Sequence, residues 1–284
     1  MAEIELSAGS IEYEDTGGEG APVVLLHGLV MNGSLWRNVV PRLGSDYRCV
    51  VPTLPLGGHR KRMRSDADLS LHGQAGLVAE FLEGLELTDV TLVLNDWGGG
   101  LLVAADGNDR IGRLVLTSCE AFDNYPPGLP GHVAWLAALA PGGINAALQP
   151  LRLRPLRRLP IAFGWMAKRS IPDEVVDDWL RPALSDRAIR RDLAKYAGGA
   201  RRAKSALVEA TERLRGFDRP ALVAWAAEDR VMPREHGQRL AELLPQGELV
   251  EIPDSYTLIP EDQPDLLAAH IRGFVAGHDA LQAA

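Results

Sequence analysis

The sequence predicts an α/β fold in which a mostly parallel, doubly wound sheet is interrupted by an inserted helical cap. Two observations lead to this prediction. Short apolar runs typical of buried strands alternate with helical patterns over residues 1–122 and again over 217–284. The intervening residues 123–216 contain helical patterns and many prolines but no buried-strand run. We therefore expect a core of residues 1–122 and 217–284, and we call residues 123–216 the cap segment.

The predicted elements follow from apolar periodicity and from cap and turn residues. Residues 3–15 alternate loosely around a glycine, which predicts two short paired strands. Continuous apolar runs predict strands buried on both faces, and helical spacing behind a Ser or before a Gly predicts helices. Before the cap these are strands at 23–26, 48–52, 91–94 and 113–117, with helices at 33–43 and 70–85. After the cap they are strands at 220–225 and 249–252, with helices at 238–244 and 266–275.

The stretch Thr91–Gly100 (TLVLNDWGGG) is the most informative in the chain. Its β-prone residues run into Asp96, Trp97 and three glycines, and a helical pattern follows at once. This order predicts a strand, a sharp turn with Asp96 at its apex, and a helix, as in a nucleophile elbow. Backbone N–H groups at a helix N-terminus favour a negative charge there. Asp96 as a catalytic carboxylate and Asp96 as a simple helix N-cap both fit this pattern.

Three polar sites follow predicted parallel strands directly. His27 and Gly28 come after the first, Asp96 after the elbow strand, and Glu120 after the strand at 113–117. Ligands of parallel sheets bind beyond the carboxyl ends of the strands. We therefore expect Asp96 and Trp97 to line one buried pocket beneath the cap segment, with His27 and Glu120 nearby.

Composition narrows the range of partners. The chain has 284 residues, 46% of them hydrophobic and 24% charged, and a net charge of −8, which disfavours nucleic acid. Only Cys49 and Cys119 occur, so neither a disulfide framework nor a metal-ligand spacing is present, and no cofactor is implied. No signal peptide or membrane span is apparent, which favours a cytoplasmic protein acting on a small molecule away from membranes. The oligomeric state is not predicted.

The Asp96-Trp97 turn resembles that of the haloalkane dehalogenases and epoxide hydrolases, members of the α/β-hydrolase superfamily. There an Asp followed by Trp and glycines replaces the Ser of esterases, and residues 35–41 (LWRNVVP) are also similar to dehalogenases. The resemblance spans nearly the whole chain and implies an α/β-hydrolase fold with a helical cap. It also implies a hydrolase in which Asp96 forms an alkyl-enzyme ester with a small apolar substrate.

The resemblance further implies roles for individual residues. Trp97 corresponds to a halide ligand, and His27-Gly28 to the oxyanion loop. Leu29 stands where many dehalogenases have an Asn halide ligand, and Asn32 comes three residues later. Epoxide opening usually employs two cap tyrosines, for which this chain offers Tyr125 and Tyr196.

The catalytic base is where the chain departs from the family. Thr257 occupies the place of the superfamily's histidine, and a hydroxyl is a poor base near neutral pH. Asp229, and after it Glu120, match the acids that orient such a base. His59 is the preferred substitute base, ahead of His132.

The other C-terminal histidines, His236, His270 and His278, are interpreted as surface residues. The missing histidine therefore keeps a second hypothesis open. In it the chain is a lyase or isomerase using Asp96 as a base, or a ligand-binding protein.

The cap segment also contains an arginine cluster. We interpret it as a solvated face with salt-bridge partners, and attraction of an anionic substrate or a membrane surface is the less favoured alternative. The cluster comprises Arg152, Arg154, Arg157 and Arg158.

Overall fold

The strands form a single sheet in the computed structural model, which describes residues 1–282 without the side chains of Ser45 and residues 279–282. Within that range the sheet has eight strands in the order β1-β2-β4-β3-β5-β6-β7-β8. Pairing is antiparallel for β1 with β2 and for β2 with β4, and parallel elsewhere. The strands are β1 (Ala2–Leu6), β2 (Gly9–Asp15), β3 (Ala21–Leu26), β4 (Tyr47–Pro52), β5 (Val90–Asp96), β6 (Ile111–Cys119), β7 (Ala221–Ala226) and β8 (Gly247–Ile252).

Helices cover the parallel part of the sheet and fill the cap segment. Most residues of the four central parallel strands are buried, as expected of strands packed on both faces. These strands are β3, β5, β6 and β7. The helices are α1 (Val40–Leu43), α2 (Leu71–Gly84), α3 (Gly99–Ala105), α4 (Gly128–Leu139), α5 (Gly143–Leu148), α6 (Asp173–Ser185), α7 (Arg187–Arg213), α8 (Arg234–Leu243), α9 (Ile259–Asp262) and α10 (Pro264–Gln282). The predicted α/β class with its mostly parallel sheet is confirmed.

The helix predicted over residues 33–43 is wrong in extent. The chain instead forms a 3₁₀ turn at Gly33–Trp36 and then the short α1. Pro41 explains the interruption, because proline lacks an N–H and is tolerated only in the first turn of a helix. The Asn32 side chain caps the 3₁₀ turn by accepting from the Ser34 N–H at 2.9 Å.

The cap segment carries α4–α7 between β6 and β7. One long helix, α7, returns the chain to the sheet, and α4 packs along it. None of the described helices is long and apolar enough to cross a bilayer.

Candidate active site

The turn after β5 places Asp96 at the carboxyl edge of the sheet. Asp96 ends β5 with φ 63°, a left-handed conformation that is unfavourable for a residue other than glycine. Gly28 must be a glycine for this arrangement, because a Cβ there would lie 1.9 Å from Oδ2 of Asp96. Helix α3 begins at Gly99, so the predicted strand, turn and helix are all present.

The Asp96 carboxyl does not cap that helix. Its Oδ2 accepts a hydrogen bond from the Leu29 N–H at 3.2 Å, and no side chain caps α3. Burial raises the pKa of Asp96 to about 7, and the nearby charge of Asp229 adds to this effect. These contacts favour a reactive carboxylate over the helix-cap interpretation.

Asp96 and Glu120 share an apolar cavity of about 120 Å³ that lies beneath the cap segment. Leu29 and Val30 also contribute to its sheet side. The cap side is almost wholly apolar, so a substrate there exchanges water for hydrocarbon contacts. The cap residues that line it include Pro130, Val133, Leu151, Ile161, Phe163 and Met166.

Glu120 is fixed next to the elbow by two hydrogen bonds. Its Oε2 accepts from the Gly98 N–H at 3.1 Å, and its own N–H donates to the Asp96 carbonyl at 3.0 Å. Burial and the charge of Asp96 raise the pKa of Glu120 well above its usual value. A carboxyl with a raised pKa keeps its proton to higher pH than an ordinary carboxyl and is better suited to act as a proton donor.

Two buried cap tyrosines lie near Glu120. Burial raises the pKa of Tyr125 and Tyr196, and the charge of Glu120 raises both further. Among the described residues, neither hydroxyl makes a well-formed hydrogen bond, and neither tyrosine lines the cavity. The two phenols are therefore close to the acid but not in contact with the cavity space.

Thr257 lies next to Asp229, where the resemblance places a histidine. Its hydroxyl donates to Oδ1 of Asp229 at 2.8 Å, and that oxygen also accepts the N–H groups of Val231 and Met232. Burial raises the pKa of Asp229. Thr257 is fully buried and is not part of the cavity lining, so its hydroxyl serves Asp229 rather than a substrate.

A cap turn covers this position from above. The Leu258 N–H donates to the Met166 carbonyl at 2.7 Å, and Met166 itself lines the cavity. Asp262 accepts the N–H groups of Lys168 and Arg169, each at 2.8 Å. The cap segment and the loop after β8 are thus joined over Thr257.

His27 and His59 are both occupied by structural contacts. His27 interacts through Nδ1 with the Gly28 carbonyl at 2.8 Å and accepts the Leu54 N–H through Nε2 at 2.9 Å. Burial lowers the pKa of His27 to about 4, so the ring is neutral. His59 accepts the Gly57 N–H at 3.2 Å through Nδ1, and its Nε2 is 3.5 Å from Asp192. Neither residue lines the cavity, so neither ring reaches the space that a substrate would occupy.

The remaining histidines do not supply a base either. His236 was expected at the surface, but it is buried, with its ring against Phe122 at a centroid distance of 5.1 Å. His132 is exposed and interacts with the Gly128 carbonyl of its own helix. Among the described residues, no histidine lines the cavity, and no group of side chains suited to a metal ion occurs.

Most of the N–H groups that could stabilise a leaving group already have acceptors. The Trp97 N–H donates to the Asn95 carbonyl at 2.7 Å, and the Leu29 N–H is already bonded to Asp96. The Trp97 indole N–H is buried and has no acceptor among the described residues. Asn32 donates to Asp178 at 2.8 Å, so its amide is engaged with the cap segment. Of these N–H groups only the indole has no acceptor within the described residues, and Trp97 is not among the residues that line the cavity.

Sequence reasoning missed one residue that links the two halves of the site. The Asn95 amide donates to the Thr257 carbonyl at 2.8 Å and to Thr117 Oγ1 at 2.9 Å. It thereby joins the elbow strand to the loop that carries Thr257. A single amide side chain at the end of an otherwise apolar strand was the available signal.

Comparison with known proteins identifies the fold family. A family model described as alpha/beta hydrolase fold matches residues 21–264. A cis-3-alkyl-4-alkyloxetan-2-one decarboxylase of Xanthomonas campestris is 29% identical over 94% of this chain and 92% of its own length. Haloalkane dehalogenase 2 of Mycobacterium tuberculosis is 26% identical over 93% of this chain and 91% of its own.

Solved structures show the same fold. A putative ancestral haloalkane dehalogenase superposes with a TM-score of 0.79 at 19% identity, covering 99% of this chain and 100% of that one. At this identity the likeness concerns the fold alone.

Proposed function

The chain belongs to the α/β-hydrolase fold family, and on that premise we propose that Asp96 attacks an electrophilic carbon of a small apolar substrate and forms an alkyl-enzyme ester. The observation that carries this proposal is the position of Asp96. Its carboxyl is the buried floor of an apolar cavity, with one oxygen held by the Leu29 N–H. A desolvated carboxylate facing a hydrocarbon-lined space is suited to displacement at carbon.

The first step uses the oxygen of Asp96 that Leu29 does not hold. Oδ1 attacks the carbon, the bond to the leaving atom breaks, and the electron pair moves onto that atom. A halide would be stabilised by the Trp97 indole N–H. An epoxide oxygen would instead take the proton of Glu120, which lines the same cavity.

The second step needs a base, and we propose that Glu120 takes this role as well. Having given its proton to the leaving oxygen, the Glu120 carboxylate accepts a proton from water. The resulting hydroxide attacks the carboxyl carbon of Asp96, and the negative charge forms on Oδ2, where Leu29 donates. The Cγ–Oδ1 bond of Asp96 then breaks, and the alcohol leaves with Oδ1 and the proton of Glu120. The proton that the hydroxide brought to the Asp96 carboxyl passes to Glu120, which restores both groups. For an epoxide, one carboxyl thus replaces the imidazole that Thr257 does not provide. For a haloalkane, Glu120 keeps its proton through the first step, so the ester on Asp96 should persist.

Mass spectrometry of the intact protein tests the ester directly. Incubation with 1-bromohexane or 1,2-epoxyhexane is expected to add the alkyl or hydroxyalkyl mass, and Asp96→Asn is expected to show none. Single-turnover hydrolysis in ¹⁸O-water should place label in the Asp96 carboxylate, because water attacks that carbon. If a broad panel of alkyl halides and epoxides gives neither adduct nor product, the alkyl-ester mechanism is wrong.

A lyase is the second candidate, and two observations favour it. One full-length relative is named as an oxetanone decarboxylase, and no histidine reaches this cavity within the described residues. Attack of Asp96 on the ring carbon bonded to the lactone oxygen would open the ring and free a carboxylate. Loss of CO₂ would then form the carbon–carbon double bond and expel Asp96 as carboxylate. This sequence needs neither water nor a base.

The two candidates give different products from one substrate. A dialkyl oxetan-2-one is expected to yield an alkene and CO₂ if the chain is a lyase, and a hydroxy acid if it is a hydrolase. Gas chromatography of the organic extract separates these outcomes. Asp96→Asn should abolish either reaction.

A further inference from the structure

The charge of the molecule is divided between the cap segment and the rest. Residues 123–216 contain 16 Lys or Arg and 9 Asp or Glu, a net charge of +7. The remaining residues contain 14 Lys or Arg and 29 Asp or Glu, a net charge of −15. The net charge of −8 is therefore the sum of a basic cap segment and an acidic core.

The cap segment also exposes most of the large apolar side chains at the surface. Helix α4 is apolar along its length, with His132 as its only polar side chain, yet none of its residues is buried. A helix of this composition normally covers a core. We call the exposed apolar residues of the cap segment the cap patch: Leu129, Leu136, Leu139, Leu153, Leu159 and Ile161.

Two exposed arginines adjoin residues of the cap patch in the sequence. Arg152 and Arg158 are exposed in the same stretch as Leu153 and Leu159, and neither has a carboxylate partner among the described residues. The prediction of salt-bridge partners therefore holds for only half of this cluster, namely Arg154 with Asp173 and Arg157 with Asp173 and Asp177.

The other end of the cap patch is also basic. Arg187 and Arg202 line surface depressions shared with Leu139, and neither has a carboxylate partner in the part of the chain that the structure describes. Arg201 lies over the Trp135 ring at 4.9 Å. Free guanidinium groups beside exposed leucines can bind anions while the leucines enter an apolar phase.

One residue of the cap patch also lines the cavity. Ile161 is 46% exposed and also lines the cavity, as do Val133 and Pro130 of the α4 region. The apolar lining of the cavity thus continues onto the exposed apolar surface.

We propose that the cap patch docks on an anionic lipid bilayer, with the cavity mouth facing the membrane. The leucines and Ile161 insert at the interface, and Arg152, Arg158, Arg187 and Arg202 pair with lipid phosphates. Repulsion between the acidic core and the anionic lipid headgroups orients the cap segment toward the bilayer. Entry of an apolar substrate from the bilayer rests on the proposed function, whereas docking does not.

Flotation with lipid vesicles tests the docking. Binding is expected to vesicles of phosphatidylcholine mixed with phosphatidylglycerol, to be much weaker with phosphatidylcholine alone, and to fall as salt is raised. Arg158→Gln and Arg202→Gln should each weaken binding about fivefold, the effect of roughly 1 kcal/mol per cationic side chain near the surface. Leu136→Ser with Leu139→Ser should weaken it as well.

Matched controls lie on the core. Arg272→Gln and Leu249→Ser change an exposed arginine and an exposed leucine outside the cap segment and should leave binding unchanged. Absence of binding to anionic vesicles, or equal losses in cap and core variants, overturns the proposal. A concentration-dependent dimer that Leu136→Ser disrupts would identify a second copy as the occupant and overturn it too. Asp96→Asn should bind vesicles normally, which separates docking from the chemistry.

Discussion

Thr257 donates its hydroxyl proton to Asp229 across 2.8 Å, at the position where the α/β-hydrolase resemblance places an imidazole. The acid that would orient a histidine is therefore present and half-buried, but its partner is a group without useful basicity near pH 7. The second oxygen of Asp229 has no well-formed hydrogen bond among the described residues. The site thus retains the acceptor for an imidazole N–H and lacks the imidazole.

Thr257→His is expected to speed hydrolysis of the ester on Asp96. General-base help contributes about 10²–10⁴-fold, so the lifetime of the adduct should shorten by up to that factor. The larger ring enters a fully buried site beneath Met166, and overpacking should lower the free energy of unfolding by about 1–3 kcal/mol. Time-resolved intact mass measures the adduct, and thermal melts measure the stability.

Removal of Asp229 provides the control for that variant. In Thr257→His with Asp229→Ala, the new ring has no orienting acceptor, so the gain in hydrolysis should vanish. A gain that persists in the double variant would show that the imidazole works without Asp229. An unchanged adduct lifetime in Thr257→His would show that position 257 has no access to the ester.

Asp96→Asn is expected to abolish ester formation. Its free energy of unfolding should also exceed that of the unaltered chain by a margin that grows as pH rises toward 7. The folded pKa of about 7 lies above that of an unfolded Asp, so the folded state retains a proton that the unfolded state has lost. Between these pKa values the unaltered chain should lose about 1.4 kcal/mol of unfolding free energy per pH unit. Above pH 7 the difference from the variant levels off. Urea melts from pH 4 to pH 8 measure this, and parallel stability curves for both proteins would contradict it.

The rate of alkylation should itself follow the ionisation of Asp96. Only the carboxylate is a nucleophile, so adduct formation by a bromoalkane should rise with pH and level off above a midpoint near 7. A bromoalkane is the suitable probe because its leaving group needs no proton. A rate that is constant from pH 5 to pH 9 would exclude Asp96 as the titrating nucleophile.

Local sequence order predicted the elbow but not the contacts of the histidines. An apolar run followed by Asp96, Trp97 and glycines specifies a strand, a turn and a helix from adjacent residues alone. The partners of His59 depend on packing between distant segments, since Asp192 lies 133 residues further along. The match of Thr257 to a family position identified the missing base. Its hydrogen bond to Asp229 could not be predicted in the same way, because it depends on how the loops after β7 and β8 pack together.

His59→Ala is expected to leave ester formation and ester hydrolysis within a few-fold of the unaltered protein. Its ring is buried between Gly57 and Asp192 and does not line the cavity. The variant should instead lose stability, by about 1–3 kcal/mol, because the buried partners lose a hydrogen-bonding group. Kinetic assays beside thermal melts separate the two effects. Loss of hydrolysis with an unchanged melting temperature would restore His59 as the base.

Glu120→Gln is expected to separate substrates by their leaving group. The amide keeps the shape of Glu120 and can still accept the Gly98 N–H, but it has no acidic proton. Opening of an epoxide should therefore slow by about 10²–10⁴-fold, because the oxygen leaves as an alkoxide without a donor.

Alkylation by a bromoalkane should change little in the same variant, since bromide leaves unprotonated. Tyr196→Phe is the matched control, because it removes the nearest cap hydroxyl and leaves Glu120 in place. If Tyr196→Phe stops epoxide opening and Glu120→Gln does not, the phenol is the proton donor. If Glu120→Gln slows both substrates equally, Glu120 positions Asp96 rather than transferring a proton.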